Sequence, residues 1–264
     1  MNIFITGGTS GIGLALARLY YKNANTNNTN NINNINIINI IAVCGGPADE
    51  FLKKLSPGEE KYFNFYLADV TIKDEIQSAL KDFSLKYGGI DLVILSAGVP
   101  IYDMTAIPDF NLAKKMVDVH LIGMFNTFET AIEIMTTKDE NSRGQGGSLA
   151  VISSIASFNG IPGIAAYSAT KAAINVFCEA LAIDLHQHKI SVTVVCPGFV
   201  KTPFTEPNTY PMPFLISAEV AAQIIKRAID RKLILKAFPF ILYLYMFLLK
   251  IIPRSLYVYL MRKG

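Results

Sequence analysis

Residues 3–20 read Ile3-Phe4-Ile5-Thr6-Gly7-Gly8-Thr9-Ser10-Gly11-Ile12-Gly13-Leu14-Ala15-Leu16-Ala17-Arg18-Leu19-Tyr20. Three pieces are joined here. Ile3 to Ile5 is a short apolar run, the pattern of a buried strand. Glycines at 7, 11 and 13 let the backbone bend sharply and approach a pyrophosphate closely. From Ile12 onward the pattern is helical, and the start of a helix offers an anion free N–H groups and a positive dipole end. The spacing is Gly-x-x-x-Gly-x-Gly rather than Gly-x-Gly-x-x-Gly. An ordinary glycine-rich turn is the plain alternative, and the strand–turn–helix setting favours a phosphate site.

Working outward, apolar runs at 3–5, 37–43, 62–67, 92–95, 148–152, 191–195 and 233–237 predict strands. The segments 12–22, 72–86, 110–136, 167–187 and 217–230 predict helices, with a short one near 48–55. This alternation is what a parallel sheet requires. A length of 264 residues fits one large α/β domain, and 51% hydrophobic content permits a large core. Residues 23–36 are mostly asparagine, which favours turns and supplies no core. They predict an expanded, exposed loop.

A second stretch bears on chemistry: Ala165-Ala166-Tyr167-Ser168-Ala169-Thr170-Lys171-Ala172-Ala173. Alanine favours helix, and positions four apart share a helix face, so a phenol and an ammonium are held together. A cation beside a phenol favours the phenolate and eases its deprotonation. Such a tyrosine exchanges protons with a carbonyl or an alcohol. A half-buried tyrosine beside a snorkelling lysine is the bland alternative. Ser154 stands thirteen residues before Tyr167, at the end of the run Val151-Ile152-Ser153.

Together with Asp69-Val70, Ser96-Ala97-Gly98, Pro197-Gly198 and Thr202, these residues resemble the short-chain dehydrogenase/reductase family, in its compact single-domain branch, over residues 1 to about 238. The resemblance implies a doubly wound parallel sheet of Rossmann type, with helices on both faces and ligand at the carboxyl ends of the strands. It implies an NAD(P)-dependent oxidoreductase acting on a carbonyl–alcohol pair. Tyr167 would be the acid/base, Lys171 would lower its pKa and bind the nicotinamide ribose, and Ser154, rather than Ser153, would hold the substrate oxygen. The cofactor would rest on Gly7, Thr9, Ser10, Gly11, Ile12, Gly13, Ser96, Ala97, Gly98, Pro197, Gly198, Val200 and Thr202, as well as Tyr167 and Lys171. Asp69 would take the adenine amino group with Val70 against the ring, or simply cap the helix that follows. Related enzymes pair through two long helices, here 110–136 and 167–187, which implies a homodimer or homotetramer.

Two departures stand out. Leu95 and Ser96 replace an asparagine pair usual in the family, and His120 replaces a catalytic asparagine. His120 is counted with the catalytic set on the strength of its backbone carbonyl. Its ring either titrates near neutrality or fills the asparagine's space as a buried neutral group. Cys44 and Gly45 stand where an acid would select NAD or a base NADP. No carboxylate repels a 2′-phosphate, so the expectation leans to NADP. A cofactor-binding sensor or membrane-attached partner with little catalysis is the alternative from a different class.

Residues 203–216 hold four prolines with Phe204, Tyr210, Met212 and Phe214. They predict an apolar lid, facing Phe158, Ile161 and Pro162 on one side and Val99 and Pro100 on another, suited to a lipophilic substrate. The seven basic residues after Asp230 (Arg231, Lys232, Lys236, Lys250, Arg254, Arg262 and Lys263) face no acid in the same stretch, although the whole chain carries only +3. Basic charge is therefore concentrated at the C-terminus, which argues against a nucleic-acid-binding face. Within that tail, residues 239–264 form an extension whose uncharged core, 237–249, is too short to span a bilayer. The extension fits a helix lying in a membrane interface, or packing against the lid or a neighbouring subunit, with Pro253 opening a second short helix. Cys44, Cys178 and Cys196 are few and scattered; no disulfide or metal site is expected. A strand beginning almost at Met1 leaves no room for a signal peptide, so a reducing cytoplasm is expected, with a peripheral place on the membrane's inner face if the tail binds lipid.

Overall fold

The structure, a computed structural model, describes residues 1–27, 40–100, 107–137 and 146–262. Its centre is a seven-stranded sheet. In chain order the strands are β1 (Asn2–Thr6), β2 (Ile40–Gly45), β3 (Phe63–Leu67), β4 (Leu92–Leu95), β5 (Gly147–Ile152), β6 (Ile190–Pro197) and, last, β9 (Leu235–Phe238). Their spatial order is β3-β2-β1-β4-β5-β6-β9, and every pairing is parallel. The strand order reverses between β1 and β4. Loops leaving the carboxyl ends of those two strands diverge and open a crevice.

Helices cover both faces, which is why β1 and β4 are buried throughout. On β1, Ile3 and Ile5 point to one face and Phe4 to the other, as a period of two demands. Ile3 and Ile5 meet α1 (Gly11–Asn27) and α7 (Ala218–Asp230). Phe4 meets the layer of α3 (Lys73–Tyr87), α5 (Gly123–Thr136) and α6 (Ala165–Asp184). Each such fully buried side chain contributes about 1.5–3 kcal/mol relative to exposure.

Several elements differ from expectation. Helix α1 runs through Asn27, five residues into the segment expected as loop. Extending an existing helix costs far less than starting one, so the first turns, buried against the sheet, carry the weak asparagine-rich end. The rest of that loop and the start of the expected second strand, residues 28–39, lie outside the described residues. The expected helix 110–136 is three pieces: α4 (Phe110–Val117), a π-helical turn over Asp118–Ile122, and α5. Asp109 caps α4 by accepting from the N–H groups of Asn111 and Leu112 at 2.8 and 3.2 Å. Helix α6 starts at Ala165, two residues early, and gives way to a 3₁₀ turn at His186–His188. The short helix near 48–55 is α2 (Ala48–Leu52). A small parallel pair, β7 (Val200–Lys201) with β8 (Ile216–Ser217), closes the base of the lid segment.

The tail forms α8 (Phe240–Ile251) and α9 (Arg254–Met261), with Pro253 at the start of α9. It is fastened to the segment after β5. Asn159 donates to the Met246 carbonyl at 2.6 Å and accepts from Arg254 at 3.1 Å, and the Tyr257 hydroxyl donates to the Gly160 carbonyl at 2.7 Å. Among the described residues no helix is long and apolar enough to cross a membrane. Cys44, Cys178 and Cys196 are free and buried.

Candidate active site

The crevice at the strand reversal is a cavity of about 1120 Å³. Its floor is the glycine turn. Gly7 has φ +64°, and a Cβ there would lie 2.6 Å from the Ala97 nitrogen; a Cβ on Gly13 would lie 2.3 Å from the Gly7 carbonyl oxygen. Only glycine at both positions lets the β1 turn, the β4 loop and the start of α1 share this space. Gly7, Thr9, Ser10, Gly11, Ile12, Asp69, Val70, Ser96, Ala97, Gly98, Ser154, Tyr167, Lys171, Pro197, Gly198, Val200 and Thr202 all line the cavity. Gly13 and His120 lie off it. Gly13 packs behind the turn, and His120 sits in a second, much smaller pocket behind Lys171.

The turn between β3 and α3 holds a side chain already in use. Asp69 accepts from both the backbone N–H and the hydroxyl of Thr71, each at 2.8 Å, and its own N–H donates to Glu75. Asp69 shapes the turn into α3, while Ile72 is the residue at the helix start.

Tyr167 and Lys171 sit one turn apart on α6, 8% and 5% exposed. The Lys171 ammonium is 5.7 Å from the Tyr167 ring centroid and donates to the Ile152 carbonyl at 3.0 Å. Among the described residues no carboxylate is paired with it. Burial therefore pushes Lys171 down to about 8. Burial also pushes the Tyr167 phenol up to about 12, against a smaller lowering by its hydrogen bond with Ser154. Burial is the largest influence on the phenol, and Tyr167 rests protonated.

Ser153 and Ser154 are separated by their partners. The Ser153 hydroxyl donates to the Lys171 carbonyl at 3.2 Å and is buried. Ser154 is half-buried, accepts from the Ala156 N–H at 3.1 Å and shares a hydrogen bond with Tyr167. Ser154 is thus the one engaged with the phenol.

His120 occupies the π-helical turn and is 3% exposed. Its Nε2 accepts from the Val99 N–H at 3.1 Å. Its Nδ1 lies 3.0 Å from the Thr170 hydroxyl, which itself donates to the Tyr167 carbonyl at 3.0 Å. The ring therefore carries its proton on Nδ1 and is neutral. Burial, reinforced by Lys171, pushes it down to about 2. The reading in which it titrates near neutrality is corrected. The ring ties the loop after β4 to the helix that carries Tyr167.

The surroundings of the Tyr167 ring are apolar. Val99, Met116, Ala156 and Tyr167 cluster with Leu112, Ile161, Ile164 and Phe204 around them. Tyr210 also lines the cavity, with its ring 6.2 Å from that of Phe199. Val99, Phe158, Pro162, Met212 and Phe214, expected in this wall, do not line the cavity. Phe158 instead packs on Tyr243 of α8 at 5.3 Å, and Phe214 is exposed.

One residue escaped the reading of the sequence. Lys54, just past α2, reaches back to the Thr9 carbonyl, with 3.4 Å from Nζ to oxygen. This sets a cation at the edge of the glycine turn, next to the end of β2. No local motif marks it, because it lies nine residues beyond Gly45 and the chain must fold back to bring it there. Among the described residues no cluster of three or more metal-ligating side chains occurs.

A sequence profile described as short chain dehydrogenase matches residues 1–211. The chain belongs to the short-chain dehydrogenase family. It is 32% identical over 189 residues to an uncharacterized oxidoreductase of Myxococcus xanthus, covering 72% of each chain. It is 32% identical over 210 residues to human 3-hydroxyacyl-CoA dehydrogenase type-2, covering 75% of this chain and 73% of that one. A solved short chain dehydrogenase of Burkholderia cenocepacia, in complex with NADP, superposes with a TM-score of 0.76 at 18% identity, over 98% of this chain and 96% of that one. This short-chain dehydrogenase is accordingly an oxidoreductase with the doubly wound fold of its family.

Proposed function

We propose that this short-chain dehydrogenase uses NADP(H) in preference to NAD(H) and interconverts a carbonyl and an alcohol on a lipophilic substrate. The observation that carries this reading is the convergence of Ser154, Tyr167 and Lys171 on the cavity whose floor is the glycine turn. A nicotinamide dinucleotide bound there would supply or accept the hydride. The glycine turn and the start of α1 fit a pyrophosphate, because no side chain blocks the backbone there. Ser154 holds the substrate oxygen. Tyr167, protonated at rest, gives that oxygen its proton during reduction and takes it back during oxidation. The Lys171 ammonium stabilises the phenolate left behind.

The NADP preference draws on Lys54 beside Thr9 and on the lack of an acid at Cys44 or Gly45. It also draws on the Burkholderia structure, which is a complex with NADP. The name of the human relative supports an alcohol–carbonyl pair, and Ile161, Ile164 and Phe204 in the cavity wall support an apolar substrate. A homo-oligomer interface on α5 and α6 is supported by the exposed pair Phe125 and Phe177, whose rings are 5.0 Å apart, and by exposed Val176 and Ile183. A monomeric mass in solution would overturn that part.

The test follows nicotinamide absorbance with apolar and small polar carbonyls, with each cofactor in turn. NADPH with apolar carbonyls is expected to give the highest kcat/KM. Lys54→Glu is expected to lower the NADPH-to-NADH ratio of kcat/KM about tenfold or more, since removing one charge-assisted contact costs about 1.5–3 kcal/mol. Turnover of small polar alcohols alone would defeat the substrate reading. An unchanged cofactor ratio in Lys54→Glu would defeat the role of Lys54.

A further inference from the structure

Helices α8 and α9 have two faces of opposite character. The inner face is used: Met246 and Tyr257 are buried, Tyr243 packs edge-on against Phe158, and Leu242 approaches Gly198. The outer face is not. Ile241, Leu244, Leu248 and Ile251 follow one another at helical spacing along α8, and each is 41–65% exposed. On α9, Leu256 and Leu260 repeat four apart and are 45% and 48% exposed. Single exposed leucines are ordinary, but an apolar stripe continued over two consecutive helices marks an interaction surface.

Charge decides what covers it. Lys250 on α8 and Arg262 just past α9 are exposed, Arg254 is turned to Asn159, and the chain has no acid beyond Asp230. A second copy of the chain, docked through the same patch by two-fold symmetry, would bring like charges together with no carboxylate of the tail to offset them. An anionic phospholipid headgroup layer matches both the stripe and the charges. Length excludes spanning: twelve residues of α8 extend about 18 Å, against the roughly 30 Å of a bilayer core.

We infer that the outer face of α8 and α9 docks on an anionic phospholipid surface, the helices lying in its plane. The consequence for substrate rests on the lipophilic reading given above. Helix α8 is bolted to two walls of the cavity, through Asn159 just after the Ile155–Ala156 wall and through the packing of Leu242 on Gly198. A docked chain therefore holds its cavity in fixed relation to the lipid from which an apolar carbonyl would partition.

The experiment uses the full chain and phosphatidylcholine vesicles, with and without phosphatidylglycerol, in a flotation assay. The wild type is expected to float with the anionic vesicles, and the bound fraction to fall as salt rises. Leu244→Glu/Leu248→Glu is expected to weaken partitioning at least tenfold, and Lys250→Glu at least about fivefold. Lys250→Glu alters an exposed position and answers the charge part even where the double variant folds poorly. Turnover of a water-soluble carbonyl should be unchanged in Lys250→Glu, whereas the KM for a vesicle-dissolved carbonyl should rise. Failure of the wild type to float, or equal flotation of both variants, overturns the inference. A drop in solution mass in the double variant, with no lipid binding by the wild type, assigns the face to a second copy and likewise overturns it. Flotation needs no turnover, so loss of the enzymatic reading and loss of this one are separately visible.

Discussion

Replacing Tyr167 by Phe lowers turnover about 10²–10⁴-fold, the usual contribution of a positioned general acid or base, while NADPH still binds. The ring stays because its burial beside Val99, Met116 and Ala156 does not depend on the hydroxyl. What goes is the proton. The phenol rests protonated, with burial pushing it up to about 12, so in the reductive direction it is a donor at every ordinary pH. The limb of the pH profile then belongs to Lys171, whose ammonium is pushed down to about 8. Below that value the ammonium is charged and stabilises the phenolate as it forms; above it the charge is lost. Reductive kcat should therefore fall as pH rises through about 8. The measurements are single-turnover absorbance at 340 nm, a wavelength set by the cofactor, and fluorescence titration with NADPH. Wild-type turnover in Tyr167→Phe would remove the acid/base role and return the sensor reading to the front.

Acid will destabilise the fold, and His120 will be a principal cause. The folded protein holds its imidazole neutral, pushed down to about 2, whereas the unfolded chain takes up a proton near 6.5. Below about 6.5 the unfolded state thus binds a proton that the folded state refuses. Each further unit of acidification costs up to about 1.4 kcal/mol until the folded value is reached, and above about 7 this contribution is flat. Lys171 does not confuse the measurement: its burial is equally costly at every pH below about 8. His120→Asn removes the titration, and the expected result is a shallower loss of urea midpoint between pH 6.5 and 4.5. At pH 7 the same variant should be less stable by about 1–3 kcal/mol, because asparagine does not reach both the Val99 N–H and the Thr170 hydroxyl. Equal acid sensitivity in the variant and the wild type would refute the assignment.

Much of the site was legible because its chemistry is local. Tyr167 and Lys171 share a face through one helical turn, and Gly7, Gly11 and Gly13 act within a single bend. Ser153 and Ser154 both stand at the polar end of an apolar strand, and the family's spacing to Tyr167 picks out Ser154. What the sequence did not reveal is tertiary. Ten residues beyond Cys44, Lys54 comes back to Thr9 only through the path of α2. Phe158 reads as a substrate wall until α8 arrives to cover it. The π-helical turn at Asp118–Ile122 lies inside one continuous helical stretch, and no glycine or proline within it marks the change. The phenol's resting state is a further instance: the neighbouring cation is visible in the sequence, but the depth of burial around the ring belongs to the fold. In α1, packing carries the helix past the point where asparagine would end it.

The three cysteines have a practical bearing. Burial pushes the thiols of Cys44 and Cys178 up to about 12 and raises that of Cys196, so thiolate is scarce at neutral pH and none of the three is accessible. Maleimide dyes should leave the native chain unmarked. A single Leu248→Cys handle then labels without background, and its emission colour reports directly whether α8 sits in water or among acyl chains.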